Sequence, residues 1–396
     1  MPGNRRALTS RERTMYVNVA VMKETHPHER RVALVPTLCA KLQALGARLH
    51  MQKGAGDASF LPDTAYQDVS FLSGAGLVHE ADVVLAVQAP SLDIVDKMKP
   101  GSVLLCFAHA QKNPALVQRL LERRITCFAM ERVPRITRAQ SMDALSSQSA
   151  LSGYFAVQLG SAHMTRILPK ITTAAGIVGP ARVLILGLGV AGLEAIATAH
   201  RLGAIVEGYD VRPETEEQAR SLGASFINVA IDARGKGGYA RELSATEKAE
   251  VTRILTEHIQ NADLVITTAA IPDRPSPRLI SSEQLSGMKP GAVVVDLGAE
   301  GGGNCEGCVP GKIIMIGQVT LIAPLNLPSS LSQDASTLYA KNQFNLLALM
   351  LKDNVISIDW DDQVLAQTVL THAGKLMHPP EKVAADLNAA PKEQAS

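Results

Sequence analysis

One stretch of the chain, residues 181–212, constrains the fold more than any other. It reads ARVLILGLGVAGLEAIATAHRLGAIVEGYDVR, in which an apolar run leads into a Gly-x-Gly-x-x-Gly motif at 187–192 and a helix-like pattern follows. A second apolar run ends at Asp210, 18 residues after Gly192. This succession of strand, glycine turn, helix, strand and acid is typical of a dinucleotide-binding βαβ unit.

Each glycine of the motif has a physical reason to be there. Gly187 permits a tight turn, Gly189 lets a pyrophosphate approach the backbone, and Gly192 lets the helix pack on the strand. The free amides at the helix N-terminus then face the phosphates. The residues predicted to contact the cofactor here are Gly187, Leu188, Gly189, Val190, Gly192, Asp210, Val211 and Arg212.

The acid at the end of the second strand indicates which nucleotide binds. A carboxylate at Asp210 can accept hydrogen bonds from both ribose hydroxyls of NAD, and it would repel the 2′-phosphate of NADP. Arg212 leaves an alternative open, because an arginine two residues further on could accommodate that phosphate. A solvated residue at a helix start is the other interpretation of Arg212. We predict NAD(H).

Composition narrows the class of protein. A chain of 396 residues with 46% hydrophobic and 19% charged residues indicates two or three globular domains. A net charge of +1 argues against a nucleic-acid partner, since there is no broad basic field. The five cysteines have no regular spacing, and Cys305 and Cys308 form a lone C-x-x-C without further ligands nearby, so no metal site is predicted.

The chain ends and the apolar segments bear on location. No segment is predicted to span a membrane, because the most apolar stretch, 183–199, is part of the βαβ unit and contains Glu194. Residues 1–14 are basic and polar without an apolar core, which indicates a disordered extension rather than a secretory signal. A weak organellar-targeting interpretation of these residues stays open.

Alternating strand and helix patterns predict an α/β fold with two Rossmann-like, doubly wound parallel-sheet domains joined by long helices into a bilobal molecule. The ligand is expected in the cleft between the lobes. Predicted elements include strands at 224–229 and 312–317 and helices at 146–168 and 335–352. The predicted division is a disordered extension (1–14), an N-terminal α/β domain (15–133) completed by analogy by 335–385, a linking segment and helix (134–180), an NAD-binding Rossmann domain (181–334) and a disordered tail (386–396).

Two further segments concentrate functional residue types. The loop 231–244 is glycine-rich and carries Tyr239, which favours a lid over the nucleotide, although a plain exposed linker is the alternative. The segment 134–149, PRITRAQSMDALSSQS, precedes the linking helix. Helix capping by Ser141 or Asp143 would explain one or two of its polar residues, but not the whole set. That set consists of Arg135, Arg138, Gln140, Ser141, Asp143 and Ser146.

Taken in order, these segments resemble a known family. RITRAQSMDALSSQS, the glycine motif with DVR, GGYARELS, TTAAIPDRPSP and VVVDLGAEGGGNCE are similar to motifs of the soluble NAD(H)-binding component, domain I of the alpha subunit, of proton-translocating NAD(P) transhydrogenase. The resemblance runs from about Val17 to Asn354. The related alanine dehydrogenases share the fold and the KETHPHERRVALVP type of opening at 23–36.

Alanine dehydrogenases are the alternative, and the residues separate the two. Their chemistry uses an Arg, a Lys, a His and an Asp, which the resemblance matches to Arg31, Gln88, His109 and Asp296. Gln88 cannot act as a cation or base in the lysine position. Hydride transfer between two nicotinamides needs two rings held face to face in a dry site, and no general acid or base. A nucleotide-sensing module without chemistry is a third class.

The resemblance implies roles for individual residues. Arg135, Gln140, Asp143 and Ser146 would approach the nicotinamide and its ribose, with Gln140 orienting the two rings. Gly238 and Tyr239 belong to the mobile loop, and Tyr239 would close on the nucleotide. Ala270 replaces a leucine of the family near the adenine, and Asp273 replaces a glycine.

The family also implies partners. It predicts NAD(H) on this chain, NADP(H) on a partner subunit, a membrane subunit that translocates protons, and a homodimer of this component. The expected location is cytoplasmic and peripheral, at the inner face of the membrane.

Overall fold

The computed structural model describes residues 16–72, 76–229, 244–269 and 275–377, with Lys248 through its backbone only. The chain divides into two compact units, one of residues 1–148 and 332–396 and the other of residues 149–331. The first boundary falls inside a long helix. Both units are α/β with mostly parallel sheets, which confirms the predicted fold class.

The strands, in chain order, are β1 (Val17–Val21), β2 (Ala47–Gln52), β3 (Ser70–Leu72), β4 (Val83–Gln88), β5 (Val103–Phe107), β6 (Thr126–Ala129), β7 (Ile171–Thr173), β8 (Gly176–Val178), β9 (Arg182–Leu186), β10 (Ile205–Tyr209), β11 (Ser225–Phe226), β12 (Leu264–Thr267), β13 (Val293–Asp296), β14 (Ile313–Ile316), β15 (Val319–Ile322), β16 (Leu351–Lys352), β17 (Val355–Ile356), β18 (Val369–His372) and β19 (Lys375–Leu376).

The helices are α1 (Pro36–Ala44), α2 (Gly76–His79), α3 (Leu92–Lys97), α4 (Pro114–Glu122), α5 (Ala144–His163), α6 (Val190–Arg201), α7 (Thr215–Ser221), α8 (Ala245–Asn261), α9 (Ser282–Ser286), α10 (Ser332–Ala348) and α11 (Gln363–Thr368). A 3₁₀ segment spans Thr137–Met142, directly before α5.

The first unit is built on a sheet in the order β19-β18-β6-β5-β4-β1-β2-β3. Strands β1 to β6 pair in parallel, and the late strands β18 and β19 add antiparallel at one edge. Successive residues of β4 enter opposite cores: Val83 and Leu85 pack on one face, and Val84 and Ala86 on the other. Burial on both faces explains why this strand is apolar throughout.

The second unit has a sheet in the order β11-β10-β9-β12-β13-β15-β14, parallel except for the β14–β15 pair. The parallel arrangement expected for the strand at 312–317 is therefore wrong. Ile316 pairs with Val319, so the chain reverses at once in a hairpin instead of crossing over a helix. The strand expected at 224–229 is reduced to Ser225–Phe226.

Helix α10 begins and ends earlier than the pattern at 335–352 predicts. It covers Ser332–Ala348, and Leu351–Lys352 instead pair with Val355–Ile356 in a hairpin. Asp353 and Asn354 have φ of 51° and 60°, the left-handed pair that a type I′ turn requires. The Asp-Asn dipeptide thus favours a hairpin over another helical turn. The helix predicted at 146–168 likewise spans Ala144–His163.

Candidate functional site

The glycine motif lies between β9 and α6 in the second unit. Gly187 has φ of 96°, and a Cβ there would lie 2.8 Å from Thr268 Oγ1. A Cβ on Gly192 would lie 1.9 Å from the Gly187 carbonyl oxygen. Around Gly189, by contrast, a Cβ would meet no heavy atom of the described residues within 4 Å. The fold itself requires the outer two glycines, whereas the space beside Gly189 is open to a ligand.

Helix α6 starts next to this open space. Gly189 is its N-cap residue, and the first intrahelical bond runs from the Leu193 N–H to the Gly189 carbonyl at 2.9 Å. The amides of the preceding turn therefore have no acceptor within the helix. Val190 is exposed at the surface of this turn. Exposed amides and the positive end of the helix dipole fit an anionic phosphate group, so a dinucleotide pyrophosphate suits this loop.

Asp210 follows β10 and contacts the glycine loop. Its Oδ2 accepts the backbone N–H of Leu188 at 2.7 Å, and its Oδ1 accepts the backbone N–H of Arg212 at 2.9 Å. The Arg212 side chain donates to both carboxylate oxygens. The acid thus holds the loop and the arginine together. Val211 packs its side chain against the apolar core, which leaves its backbone for contact with a ligand.

Three predicted cofactor residues lie outside the described residues: Gly238 and Tyr239 of the glycine-rich loop, and Ala270. Asp273 does so too.

In the first unit, the residues predicted to meet the nicotinamide come together. Arg135, Gln140, Asp143 and Ser146 line one cavity of about 390 Å³, with Pro134 and Ile136 completing its wall. Arg135 and Gln140 are exposed, and Asp143 and Ser146 are half-buried. The cavity therefore combines a cation, an amide, a carboxylate and a hydroxyl on an apolar wall, a set that can hold a polar ring and its ribose.

Asp143 also has a structural task. Its Oδ1 accepts the Ser146 backbone N–H at 2.9 Å, and its Oδ2 accepts the Ser146 hydroxyl at 2.5 Å. Asp143 thus caps the first turn of α5. The capping interpretation accounts for this pair, but not for Arg135 or Gln140 beside them. Arg138, another residue of this segment, forms an ion pair with Asp362.

Sequence reasoning missed residues that hold this segment in place. Asn342 and Asn345 on α10, and Asp362 at the start of α11, contact the segment 138–147. They lie about 200 residues further along the chain, and a single sequence carries no signal for such contacts.

The residues matched to alanine dehydrogenase chemistry form an internal network. Arg31 is buried and donates to both oxygens of Glu29, Nε to Oε1 at 2.8 Å and Nη2 to Oε2 at 2.6 Å. Gln88 donates its amide to Glu29 Oε2 at 2.9 Å. Burial alone would raise the pKa of Glu29, but the hydrogen bond and charge of Arg31 lower it to about 2. A carboxylate of the chain itself therefore occupies Arg31.

Asp296 and His109 are likewise engaged by the fold. The buried Asp296 carboxylate accepts the Thr267 hydroxyl and the backbone amides of Gly298 and Cys305, between 2.9 and 3.1 Å. These bonds organise the glycine-rich loop after β13. The His109 backbone N–H donates to Glu131 at 2.6 Å.

Two classes of feature are absent from the part of the chain that the structure describes. It contains no cluster of three or more His, Cys, Asp or Glu side chains that could hold a metal ion. Burial and the nearby Asp296 raise the pKa of the Cys308 thiol to about 12, so it stays protonated at neutral pH. Among these same residues, no helix has the length and apolar character to cross a membrane.

Comparison with known proteins adds to this geometry. Residues 20–152 match the family model of the alanine dehydrogenase/PNT N-terminal domain, and residues 156–379 match that of the C-terminal domain. In Rhodospirillum rubrum, the first of the parts into which the NAD(P) transhydrogenase subunit alpha is divided is 42% identical over 377 residues, covering 92% of this chain and 98% of the relative.

Two further relatives place the chain between the branches of that family. A transhydrogenase from Sinorhizobium meliloti has a similar structure, with a TM-score of 0.81 and 40% identity, covering 91% of this chain and 99% of that one. The alanine dehydrogenase of Mycobacterium tuberculosis is 29% identical over 399 residues, covering 96% of this chain and 99% of the relative. The chain is thus more similar to the transhydrogenases.

Proposed function

Because the chain belongs to the alanine dehydrogenase/PNT family, we propose that it is the NAD(H)-binding subunit of a proton-translocating transhydrogenase. The family membership confirms the resemblance predicted from the motifs. The observation that carries the proposal is the higher identity to transhydrogenase alpha chains than to alanine dehydrogenase along nearly the whole sequence. The reaction is a direct hydride transfer between NAD(H) on this chain and NADP(H) on a partner subunit.

The geometry of the second unit supports the nucleotide assignment. The open space at Gly189 and the free amides of the first turn of α6 would hold the pyrophosphate. Asp210 and Arg212 would contact the adenosine half, with Leu188, Val190 and Val211 contributing backbone. We extend the proposal to Gly238, Tyr239 and Ala270 on the strength of the sequence resemblance alone.

The cavity in the first unit supports the assignment of the reactive half. Bound NAD(H) supplies the hydride that moves, and Arg135, Gln140, Asp143 and Ser146 bind and orient its nicotinamide and ribose. Such a reaction depends on alignment and exclusion of water rather than on proton transfer. In keeping with this, Arg31 and Gln88 are bound to Glu29 instead of presenting a cation and a base.

The partners follow from the same proposal. The relative from Rhodospirillum rubrum is named as one portion of an alpha subunit, which supports assembly with further chains. We propose an NADP(H)-binding subunit, a membrane subunit coupled to proton translocation, and a homodimer of this chain. Its place would be the cytoplasmic side, peripheral to the membrane.

One pair of assays tests the proposal against its alternative. The purified chain is incubated with NAD and L-alanine alone, and separately with NADH, an NADP analogue and an NADP(H)-binding transhydrogenase subunit. The proposal predicts no NADH formation in the first assay and hydride transfer in the second. Robust alanine oxidation without a partner would instead establish an amino-acid dehydrogenase.

A further inference from the structure

We propose that Asn342 is a positioning residue, which fixes the cavity of Arg135, Gln140, Asp143 and Ser146 from a distant part of the chain. It does so by tying together the two elements that carry the cavity residues, the 3₁₀ segment 137–142 and the start of α5. The functional part of this inference depends on the proposed transhydrogenase reaction, whereas the structural part does not.

The 3₁₀ segment needs support from outside itself. It runs for six residues, Thr137–Met142, whereas 3₁₀ turns longer than three or four residues are uncommon because their hydrogen-bond geometry is poor. Its end is closed by a weak bond, from the Asp143 N–H to the Gln140 carbonyl at 3.3 Å. Gln140 lies within this segment with its side chain exposed. Its position therefore depends on what holds the surrounding backbone.

Two asparagines of α10 supply that support. The side-chain amides of Asn342 and Asn345 both donate to the Ser141 carbonyl, each at 2.9 Å. Asn342 makes a second bond, because its Oδ1 accepts the Ser147 hydroxyl at 2.7 Å. Ser147 stands in the first turn of α5, directly after Ser146. One side chain thus links both elements that line the cavity, and Asn345 links only one.

The burial of the two asparagines points in the same direction. Asn342 is 6% exposed, and Asn345 is in a more open position. Breaking a buried hydrogen bond leaves its partner without compensation from water, so it costs more than breaking an exposed one. Asn342 therefore carries most of the constraint.

Helix α10 is itself anchored to the sheet. The Tyr339 hydroxyl donates to the Ala86 carbonyl at 3.0 Å, and the Gln343 amide donates to the carbonyls of Ala86 and Leu105 at 2.9 and 3.0 Å. Both side chains are fully buried. Asn342 thus connects the segment of Gln140 to the central strands β4 and β5 through a rigid helix.

A second tie is weaker. Arg138 donates to both oxygens of Asp362, at 2.8 and 2.6 Å, and Asp362 caps α11. The Arg138 side chain is 53% exposed, so solvent screens this ion pair. It serves as a comparison for the buried tie.

The test compares Asn342→Leu, which removes both bonds with little change in volume, with Asn345→Leu as the matched control. Hydrogen–deuterium exchange of residues 137–143 reports the constraint without reference to activity. We expect exchange there to quicken about tenfold in Asn342→Leu, equivalent to the loss of about one hydrogen bond. Exchange should stay unchanged in β4 and β5, and the control should respond much less.

Activity provides the second readout. In the reconstituted complex, Asn342→Leu should slow single-turnover hydride transfer about thirtyfold or more, and change NADH affinity less than about threefold, because the loss is one of alignment. If Asn342→Leu does not fold, Ser147→Ala removes the link to α5 alone and should show the same pattern at smaller size.

The outcomes separate the two proposals. Unchanged exchange at 137–143 overturns the positioning role, and so does a loss of affinity as large as the loss of rate. If the wild-type chain transfers no hydride with a partner, the proposed function fails, and the exchange measurement still decides whether Asn342 holds the segment.

Discussion

Arg212 and Asp210 form a two-pronged ion pair at the end of β10, with Nε–Oδ1 and Nη2–Oδ2 distances of 2.9 Å. The Asp210 side chain is 6% exposed and that of Arg212 is 21% exposed. The sequence alone left Arg212 as either a phosphate ligand or a solvated residue. The structure shows its charge balanced by the acid beside it, so a 2′-phosphate would have to compete with Asp210 for the guanidinium.

This pair underlies a prediction about nucleotide choice. Wild-type protein should bind NADH more tightly than NADPH in calorimetric titrations. Asp210→Ser removes the repelling carboxylate and releases Arg212, so the ratio of the two affinities should approach one. Both affinities should fall somewhat, because the Leu188 N–H loses its acceptor. In the double variant with Arg212→Ala, the gain for NADPH should disappear. Equal or tighter NADPH binding by the wild type would contradict this assignment.

The glycine loop offers a matched pair of substitutions. Gly192→Ala places a Cβ 1.9 Å from a backbone carbonyl oxygen, so the helix must shift; we expect a loss of about 3 kcal/mol in the free energy of unfolding. Gly189→Ala meets no described atom within 4 Å and should leave stability unchanged. It should nevertheless weaken NADH binding about tenfold or more, since the methyl group occupies the path of the pyrophosphate. Normal NADH affinity in Gly189→Ala would mean that no ligand approaches there.

Gln140 provides a test of alignment. Gln140→Asn keeps the amide and shortens its reach by one methylene. Misplacement by about 1 Å can cost on the order of a hundredfold in rate, so single-turnover hydride transfer should fall strongly. NADH affinity should change only a few-fold. Wild-type rates, or a fall in affinity equal to that in rate, would remove Gln140 from this role.

The buried carboxyl of Glu24 predicts a pH dependence of stability. Burial raises its pKa to about 7 from 4.5, although the amides of Val87 and Gln88 donate to it. The folded state therefore binds a proton that the unfolded state has already released between these values. The stabilisation is complete below pH 4.5 and is lost as pH rises through about 7, amounting to about 3 kcal/mol.

Denaturant unfolding at several pH values checks this. Between about pH 5 and pH 8, the wild type should lose stability relative to Glu24→Gln, which cannot ionise. Glu29 does not interfere in this range: its lowered pKa gives stability that is present above 4.5 and lost only toward about 2. Parallel curves for the two proteins would show that Glu24 ionises in the folded state as it does in water.

The sequence predicts best what is local. The strand, turn and helix around Gly187 lie in one short segment, and their residue types meet local steric demands. Arg135, Gln140, Asp143 and Ser146 line one cavity because they share one continuous segment. Contacts between distant segments carried no signal. Neither the grip of Asn342 on Ser141 nor the antiparallel addition of β18 to β6 follows from a pattern along the chain.

Even some near neighbours escaped prediction for a physical reason. Glu29 and Arg31 are two residues apart, yet their pairing depends on burial and on the Gln88 amide, which the fold brings from β4. The left-handed turn at Asp353–Asn354 also overrode a good helical pattern, because the hairpin satisfies its backbone through strand pairing.

Direct hydride transfer between two nicotinamides is the central claim, and isotopic labelling tests it most directly. The chain, reconstituted with an NADP(H)-binding subunit, is given NADH deuterated at the transferred position of C4, together with NADP, in ordinary water. Mass spectrometry then measures deuterium in the NADPH formed. Direct transfer predicts that nearly every NADPH molecule carries the deuterium from NADH. NADPH that contains hydrogen from solvent, or no NADPH at all in a complex shown to bind both nucleotides, would contradict it.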